Sequence, residues 1–197
     1  MKVIELFQLR SPCIRPAIDE IVEPANPSTI VLKYLQDDLL SASNSRRMNG
    51  KEIEYVSKQI LEALRTLHDD GFVHTDIKMD NVLGLLWGTP TDIWSFSAVP
   101  DVPRGHDEYE VEILSKYHIF FGPFPRSLEE IADDFIMNAL LTLMLRIPPE
   151  KLKPFRAAGE NEISKEDKEF VLKIMKIDPR DRPTANELLQ DEWFKNV

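Results

Sequence analysis

The sequence predicts an α+β fold, with a small amount of sheet at the front and a mostly α-helical remainder. Two short runs rich in β-branched and apolar residues, around Ala17–Val22 and Ser28–Tyr34, flank the turn-rich Glu23-Pro24-Ala25-Asn26-Pro27 and read as strands. From Asn49 onward, apolar residues recur at steps of three and four behind good helix-capping residues. The chain has 197 residues, 43% of them hydrophobic, enough for one domain of ordinary size with a real core.

Charge and cysteine use narrow the function classes. Net charge is −10, from 34 acidic against 24 basic residues. That balance argues against nonspecific nucleic-acid binding, which needs Lys and Arg on phosphates, and suits a basic peptide as partner. A lone cysteine, Cys13, excludes an intramolecular disulfide and a Cys-rich zinc site. The N-terminus lacks an apolar run of signal-peptide length, and no stretch reaches the roughly 18 apolar residues of a membrane span. The expectation is a soluble protein of the cytoplasm and/or nucleus, without membrane contact.

Taken in order, Met1–Arg10 alternates loosely and fits a strand or a short helix, and Ser11-Pro12-Cys13-Ile14-Arg15-Pro16 then breaks any helix. The second strand-like run passes through Leu35 into Gln36-Asp37-Asp38-Leu39-Leu40; by itself it is a buried strand with an acidic end. Residues 41–49 read as a polar surface loop. Asn49 with Glu52 forms an Asn variant of the capping box, and Ile53, Val56, Ile60, Leu64 and Leu67 line the apolar side of a helix that Gly71 ends. His68, near its end, fits surface or core.

Further on, Asp107–Tyr117 is a short helix with a carboxylate at its start. Phe120-Phe121-Gly122-Pro123-Phe124-Pro125 is an aromatic turn read as core filling. Ser127 with Glu130 predicts a capping box for a helix to about Arg146, with Leu128, Ile131, Phe135, Leu140 and Leu143 on its apolar side, stopped by Pro148-Pro149. Ser164 caps a helix carrying Phe170, Val171, Ile174 and Met175. Thr184 with Glu187 opens the last helix, to about Gln190, before Trp193-Phe194.

Chemistry concentrates in Val73-His74-Thr75-Asp76-Ile77-Lys78-Met79-Asp80-Asn81-Val82-Leu83. An Asp, a Lys two residues on and an Asn three further bring a base, a cation and a metal-binding amide into one loop, the set phosphoryl transfer needs. The stretch resembles the catalytic loop of eukaryotic protein kinases, H-R-D-L-x-x-x-N, with Thr75 where that pattern has Arg. His-Thr-Asp-Ile-Lys resembles the branch that phosphorylates Arg/Ser-rich proteins. The string Asp178-Pro179-Arg180-Asp181-Arg182-Pro183-Thr184, with Trp193-Phe194, resembles the end of a kinase C-terminal lobe. The resemblance implies Asp76 as catalytic base, Lys78 beside the phosphate, Asn81 as a Mg²⁺ ligand and Leu83 under the adenine of ATP. It further implies Leu32 as gatekeeper, Lys33 to Leu35 as hinge and Asp38 as a ribose contact. The implied fold is a mostly α-helical C-terminal lobe with a remnant of the N-lobe β-sheet.

The same comparison points to missing parts. Gly84-Leu85-Leu86-Trp87-Gly88-Thr89-Pro90-Thr91-Asp92-Ile93-Trp94-Ser95 follows the catalytic loop at once, where the family has Asp-Phe-Gly, an activation loop and Ala-Pro-Glu. The large buried helix that Asp92-Ile93-Trp94-Ser95 should open meets Pro100 and Pro103. Upstream of residue 11 there is no Gly-rich phosphate loop and no Val-Ala-Ile-Lys. The Arg matching Arg182 pairs in the family with the Glu of Ala-Pro-Glu, so Arg182 is expected to lack that partner. The expected organisation is an incomplete kinase domain over 1–197, with remnant strands and hinge in 11–35 and a C-terminal lobe in 36–197. Apparent deletions are expected near 83/84 and 98/99, with the remnant strands packing loosely and 84–105 poorly ordered. The implied function is ATP- and Mg²⁺-dependent transfer to Ser/Thr of a basic, Arg/Ser-rich protein. The competing readings are a pseudokinase-like interaction module, a non-functional shortened product, or an unrelated helical binding protein.

Overall fold

The computed structural model describes residues 2–23, 29–34, 46, 48–73 and 107–195. They fall into two compact units, one within Met1–Pro90 and Thr184–Val197, the other within Thr91–Pro183. Helices dominate the described residues, and the sheet among them is a single antiparallel pair. This is the mostly helical architecture with a small sheet that the sequence predicts.

In the first unit the opening residues take the helical alternative, α1 (Lys2–Gln8). Its anchor is Phe7, fully buried, with its ring edge-on to Phe72 at 5.2 Å between centroids. The chain turns out of α1 as Arg10 and Ser11 both donate backbone N–H groups to the Phe7 carbonyl. Gln8 then accepts the Ala17 N–H at 2.8 Å through its side-chain oxygen, which starts β1 (Ala17–Ile21).

Strand β1 pairs with β2 (Thr29–Leu32), placing Ala17 opposite Leu32 and Ile21 opposite Thr29, with an irregularity between Ala17 and Asp19. The expected strands are both present and their packing is shallow. Ile18, Ile21 and Val22 are exposed, so β1 and the residue after it bury little apolar area. A lone two-stranded pair is marginal in water, and this one leans on α1.

Helix α2 (Gly50–His68) is the longest described element, about 28 Å from end to end at 1.5 Å per residue. Its predicted capping box is formed. Asn49 accepts the Glu52 N–H at 3.0 Å, and Glu52 accepts the Asn49 N–H at 2.9 Å. Arg46 adds two hydrogen bonds to the Glu52 carboxylate, at 2.6 and 2.9 Å. Together with the Asn49 N–H they hold that carboxyl down at about 2. Ile53 and Leu61 are buried in α2. The C-terminal helix α6 (Ala185–Leu189) and the turn Glu192–Phe194 pack on α2 and bury Ala185, Leu188, Trp193 and Phe194.

In the second unit α3 (Asp107–Phe121) runs past the expected end at Tyr117. Phe120 and Phe121 therefore belong to the helix, and Gly122, at φ +106°, makes the exit that a side-chain-bearing residue would resist. Core filling is their role: Phe120 is buried, and Phe121 meets the buried Phe155 ring at 5.6 Å.

The next stretch corrects the sequence reading. One helix from Ser127 to Arg146 was expected; the structure has a 3-10 turn, Arg126–Glu130, followed by α4 (Asp134–Arg146). Ser127 caps nothing and donates its hydroxyl to Asp178 at 2.6 Å. Asp133 caps α4 instead, accepting the Ile136 N–H at 2.8 Å. That restart shifts the helical phase. Leu128, Leu140 and Leu143 are buried as expected, but Ile131 and Phe135 point to solvent, at 53% and 79% exposure.

Helix α5 (Lys165–Ile174) begins at the predicted Ser164 cap, which accepts the Asp167 N–H at 3.1 Å, and buries Phe170 and Val171. Lys168 reaches across to the Ala158 carbonyl at 2.7 Å.

Candidate functional site

Most of the predicted site lies outside the described residues. Asp76, Lys78, Asn81 and Leu83 fall there, as do Leu35, Asp38, the junctions near 83/84 and 98/99 and the segment 84–105. What is described is the approach to the catalytic-loop sequence. Helix α2 ends in a Schellman arrangement: Phe72 N–H bonds the Leu67 carbonyl at 3.0 Å and Gly71 N–H the His68 carbonyl at 2.9 Å. Gly71 sits at φ +77°, where a Cβ is disfavoured. Phe72 packs on Phe7, and Asp70 forms an ion pair with Arg10, whose guanidinium also lies over the Phe7 ring. These contacts tie the last residues before His74 to α1. His68 itself is exposed.

Leu32 and Lys33 are the two predicted nucleotide contacts that are described. Leu32 ends β2 and is half-buried opposite Ala17. Lys33 is exposed, but both of its backbone polar groups are engaged. Its N–H donates to the Pro16 carbonyl at 2.9 Å, and its carbonyl accepts from Arg15 Nε at 2.6 Å. Arg15 is a neighbour that the sequence reading did not name. The signal was indirect: antiparallel pairing brings the two residues before β1, Arg15 and Pro16, beside the residue after β2.

A second polar constellation sits at Asp178, within the other unit. Its buried carboxylate accepts four hydrogen bonds: the Arg180 N–H and Nε, both at 3.0 Å, Arg180 Nη2 at 2.8 Å and the Ser127 hydroxyl at 2.6 Å. Arg180 in turn pairs with Glu130 and donates to the Ser127 carbonyl at 2.7 Å. The guanidinium first, then the hydroxyl and the backbone N–H, hold the Asp178 carboxyl well below the usual carboxylate range. A carboxylate so saturated is a poor base, and its role is to brace the turn.

Arg182, expected to lack its family partner, donates instead to the carbonyls of Lys176 and Ile177, at 2.6 and 3.3 Å. These carbonyls belong to the turn that follows α5, which Arg182 thereby braces. A cleft of about 430 Å³ adjoins this region, walled by Phe121, Pro123, Met175 and Lys176. Among the described residues no three His, Cys, Asp or Glu side chains gather to hold a metal, and no helix is long and apolar enough to cross a membrane.

Comparison with known proteins supplies the family. Residues 6–86 match the family model of the protein kinase domain. That match takes in the end of α1, both strands, α2 and the catalytic-loop sequence. The chain is 31% identical over 175 residues to mitogen-activated protein kinase kinase kinase 5 of Homo sapiens, an alignment covering 75% of this chain and 12% of that protein. It is 30% identical over 178 residues to the membrane-associated tyrosine- and threonine-specific cdc2-inhibitory kinase of Drosophila melanogaster, covering 79% of this chain and 32% of that one. With serine/threonine-protein kinase cds1 of Schizosaccharomyces pombe it shares 26% over 210 residues, 90% of this chain and 44% of the yeast protein. The chain thus spans well under half the length of these relatives. With the helical architecture and its small sheet, the match and the relatives place this chain in the eukaryotic protein kinase family.

Proposed function

We propose that the chain acts as a serine/threonine protein kinase centred on Asp76, transferring a phosphoryl group to Ser or Thr of a basic, Arg/Ser-rich protein. The observation that carries this reading is the catalytic-loop sequence His74–Leu83, which follows directly on the capped and terminated helix α2 inside the matched stretch. Asp76 would orient the attacking hydroxyl and take its proton, and Lys78 would steady the phosphoryl oxygens in flight. The amide oxygen of Asn81 would hold Mg²⁺. Bound Mg-ATP would supply the transferable group, with Leu32, Leu35 and Leu83 against the adenine and Asp38 at the ribose. Among the described residues Lys33 offers its backbone carbonyl toward such a ligand. Arg15 occupies one lone pair of its carbonyl and leaves the other for an amino group. The acidic balance of the chain favours a basic substrate, and Thr75 in place of Arg supports the Arg/Ser-directed branch.

A second reading, a nucleotide-free interaction module or a shortened product, is favoured by two observations. The hinge position Lys33 is already bonded on both backbone groups. No Asp-Phe-Gly stands between Asn81 and Asp92, and its loss would remove a metal carboxylate on which phosphoryl transfer leans.

Thermal unfolding with and without Mg-ATP separates the readings, because a ligand that binds only the folded state must raise the melting temperature. The kinase reading expects an upward shift, and phosphorylation of an Arg/Ser peptide that Asp76→Ala abolishes while the shift persists. A cooperative transition that Mg-ATP does not move would sink it.

A further inference from the structure

The sequence sets an Asn or Asp directly before a glycine twice, at Asn49-Gly50 where α2 starts and at Asp70-Gly71 just past its end. Glycine leaves its backbone nitrogen bare, so that nitrogen can attack the preceding side-chain carbonyl carbon and close a five-membered imide. The fold treats the two places differently. Gly71 stands at φ +77° with its N–H held by the His68 carbonyl at 2.9 Å, and the Asp70 carboxylate is paired with Arg10. There the nitrogen is engaged, and an ion-paired carboxylate is a poor electrophile. Gly50 is the first residue of α2, where a backbone N–H has no intrahelical acceptor, and among the described residues it makes no hydrogen bond. Asn49 and Gly50 are both exposed. Nothing in the fold calls for glycine at 50: its φ is not positive, and a Cβ there would meet nothing within 4 Å. Alanine would also be the better helix former.

We propose that Asn49 is a spontaneous deamidation site whose rate is set by the capping box of α2. The Gly50 nitrogen gives its proton to hydroxide and bonds to Asn49 Cγ, and the side-chain nitrogen leaves as ammonia. Water then opens the imide. Opening at the new N–Cγ bond leaves an ordinary aspartate; opening at the main-chain carbonyl leaves an isoaspartate, whose backbone is one atom longer. The closed cap opposes the first step. Asn49 is extended at ψ 166°, which keeps the Gly50 nitrogen away from Cγ, and its side-chain oxygen is tied to the Glu52 N–H at 3.0 Å. Ring closure needs ψ to turn and that bond to part. Glu52 resists the turn from the other side, since it accepts the Asn49 N–H at 2.9 Å and is itself clasped by Arg46 at 2.6 and 2.9 Å. The reaction therefore runs from the opened cap. Its two products differ in consequence: an aspartate still caps the helix, whereas the longer isoaspartate backbone puts position 49 out of register with Glu52 and dissolves the box.

Peptide mapping of the full chain, incubated at neutral and at mildly alkaline pH, tests this. Asn49 should show the mass shift of an amide exchanged for an acid, with isoaspartate detected by enzymatic methylation. Conversion should be faster at the higher pH and well ahead of Asn138, Asn161 and Asn186, which precede Ala or Glu. Gly50→Ala should slow it several-fold, because the methyl hinders the attack, while circular dichroism shows the helix content kept. Glu52→Ala should speed it about fivefold, the change in open-cap population that one lost capping interaction brings. An intact Asn49 in the folded chain, when the same chain in urea has converted, overturns the proposal, as does conversion indifferent to Gly50→Ala. A rate that Glu52→Ala leaves unchanged overturns the control by the cap.

Discussion

Two phenylalanines of the second unit make opposite predictions from the same substitution. Phe155 is 1% exposed, with its ring against Phe121 at 5.6 Å, whereas Phe135 is exposed on the outer face of α4. Truncating Phe155 to Ala removes a ring that is almost wholly out of water and leaves a cavity beneath Phe121. The expected loss is about 3–5 kcal/mol, transfer and cavity terms together. A domain holds roughly 5–15 kcal/mol in total, so Phe155→Ala should consume a large part of the unit's stability. Phe135→Ala, with no cavity to open, should change it by no more than about 0.5 kcal/mol. Hydrogen exchange read on peptides from 107–121 and 165–174 reports both variants in one experiment. Protection should fall by several orders of magnitude for Phe155→Ala and stay near the parent value for Phe135→Ala. Equal effects of the two substitutions would refute the assignment of Phe155 to the core and of Phe135 to the surface.

Other expectations follow from the caps and the carboxylates. Asn49→Ala and Thr184→Ala should each cost about 1 kcal/mol in urea denaturation by stripping an N-cap acceptor, and Asn49→Asp should be tolerated. Gly71→Ala should cost about 1–2 kcal/mol through backbone strain at φ +77°, since open space surrounds the position, whereas Gly71→Asn should cost less. Glu52 is held at about 2 against an ordinary 4.5. A carboxyl lowered on folding contributes stability above its unfolded value, and that contribution fades as pH falls from 4.5 toward 2. Acid titration followed by the carboxyl carbon shift of Glu52 should show this low midpoint, and Arg46→Ala should raise it. Asp178 follows the same sign, remaining ionised until still stronger acid, and Arg180→Ala should move its midpoint upward.

The local signals in the sequence were largely sufficient for local structure. Capping residues depend on one turn of neighbours, so Asn49 with Glu52, Ser164 and Thr184 with Glu187 were legible, and so was the glycine that ends α2. Where two local signals competed, the reading failed. Ser127 and Asp133 both suit an N-cap, and the choice fell to Asp133 because Asp178, 51 residues away in the chain, takes the Ser127 hydroxyl. No pattern within a helical window contains that partner. The same restart turned Phe135 outward. The candidate site divides along the same line. Asp76, Lys78 and Asn81 are singled out by their spacing and by the resemblance of their stretch to a kinase catalytic loop, and they lie outside the described residues.

The sequence by itself determined the family and the helix starts behind Asn49, Ser164 and Thr184, since each is written in contiguous residues. Tertiary structure decided which apolar residues are core, that Lys33 is bonded to both Pro16 and Arg15, and that Arg182 braces the turn after α5. The physical reason is that burial and long-range hydrogen bonds depend on which surfaces meet, and only the folded chain brings those residues together.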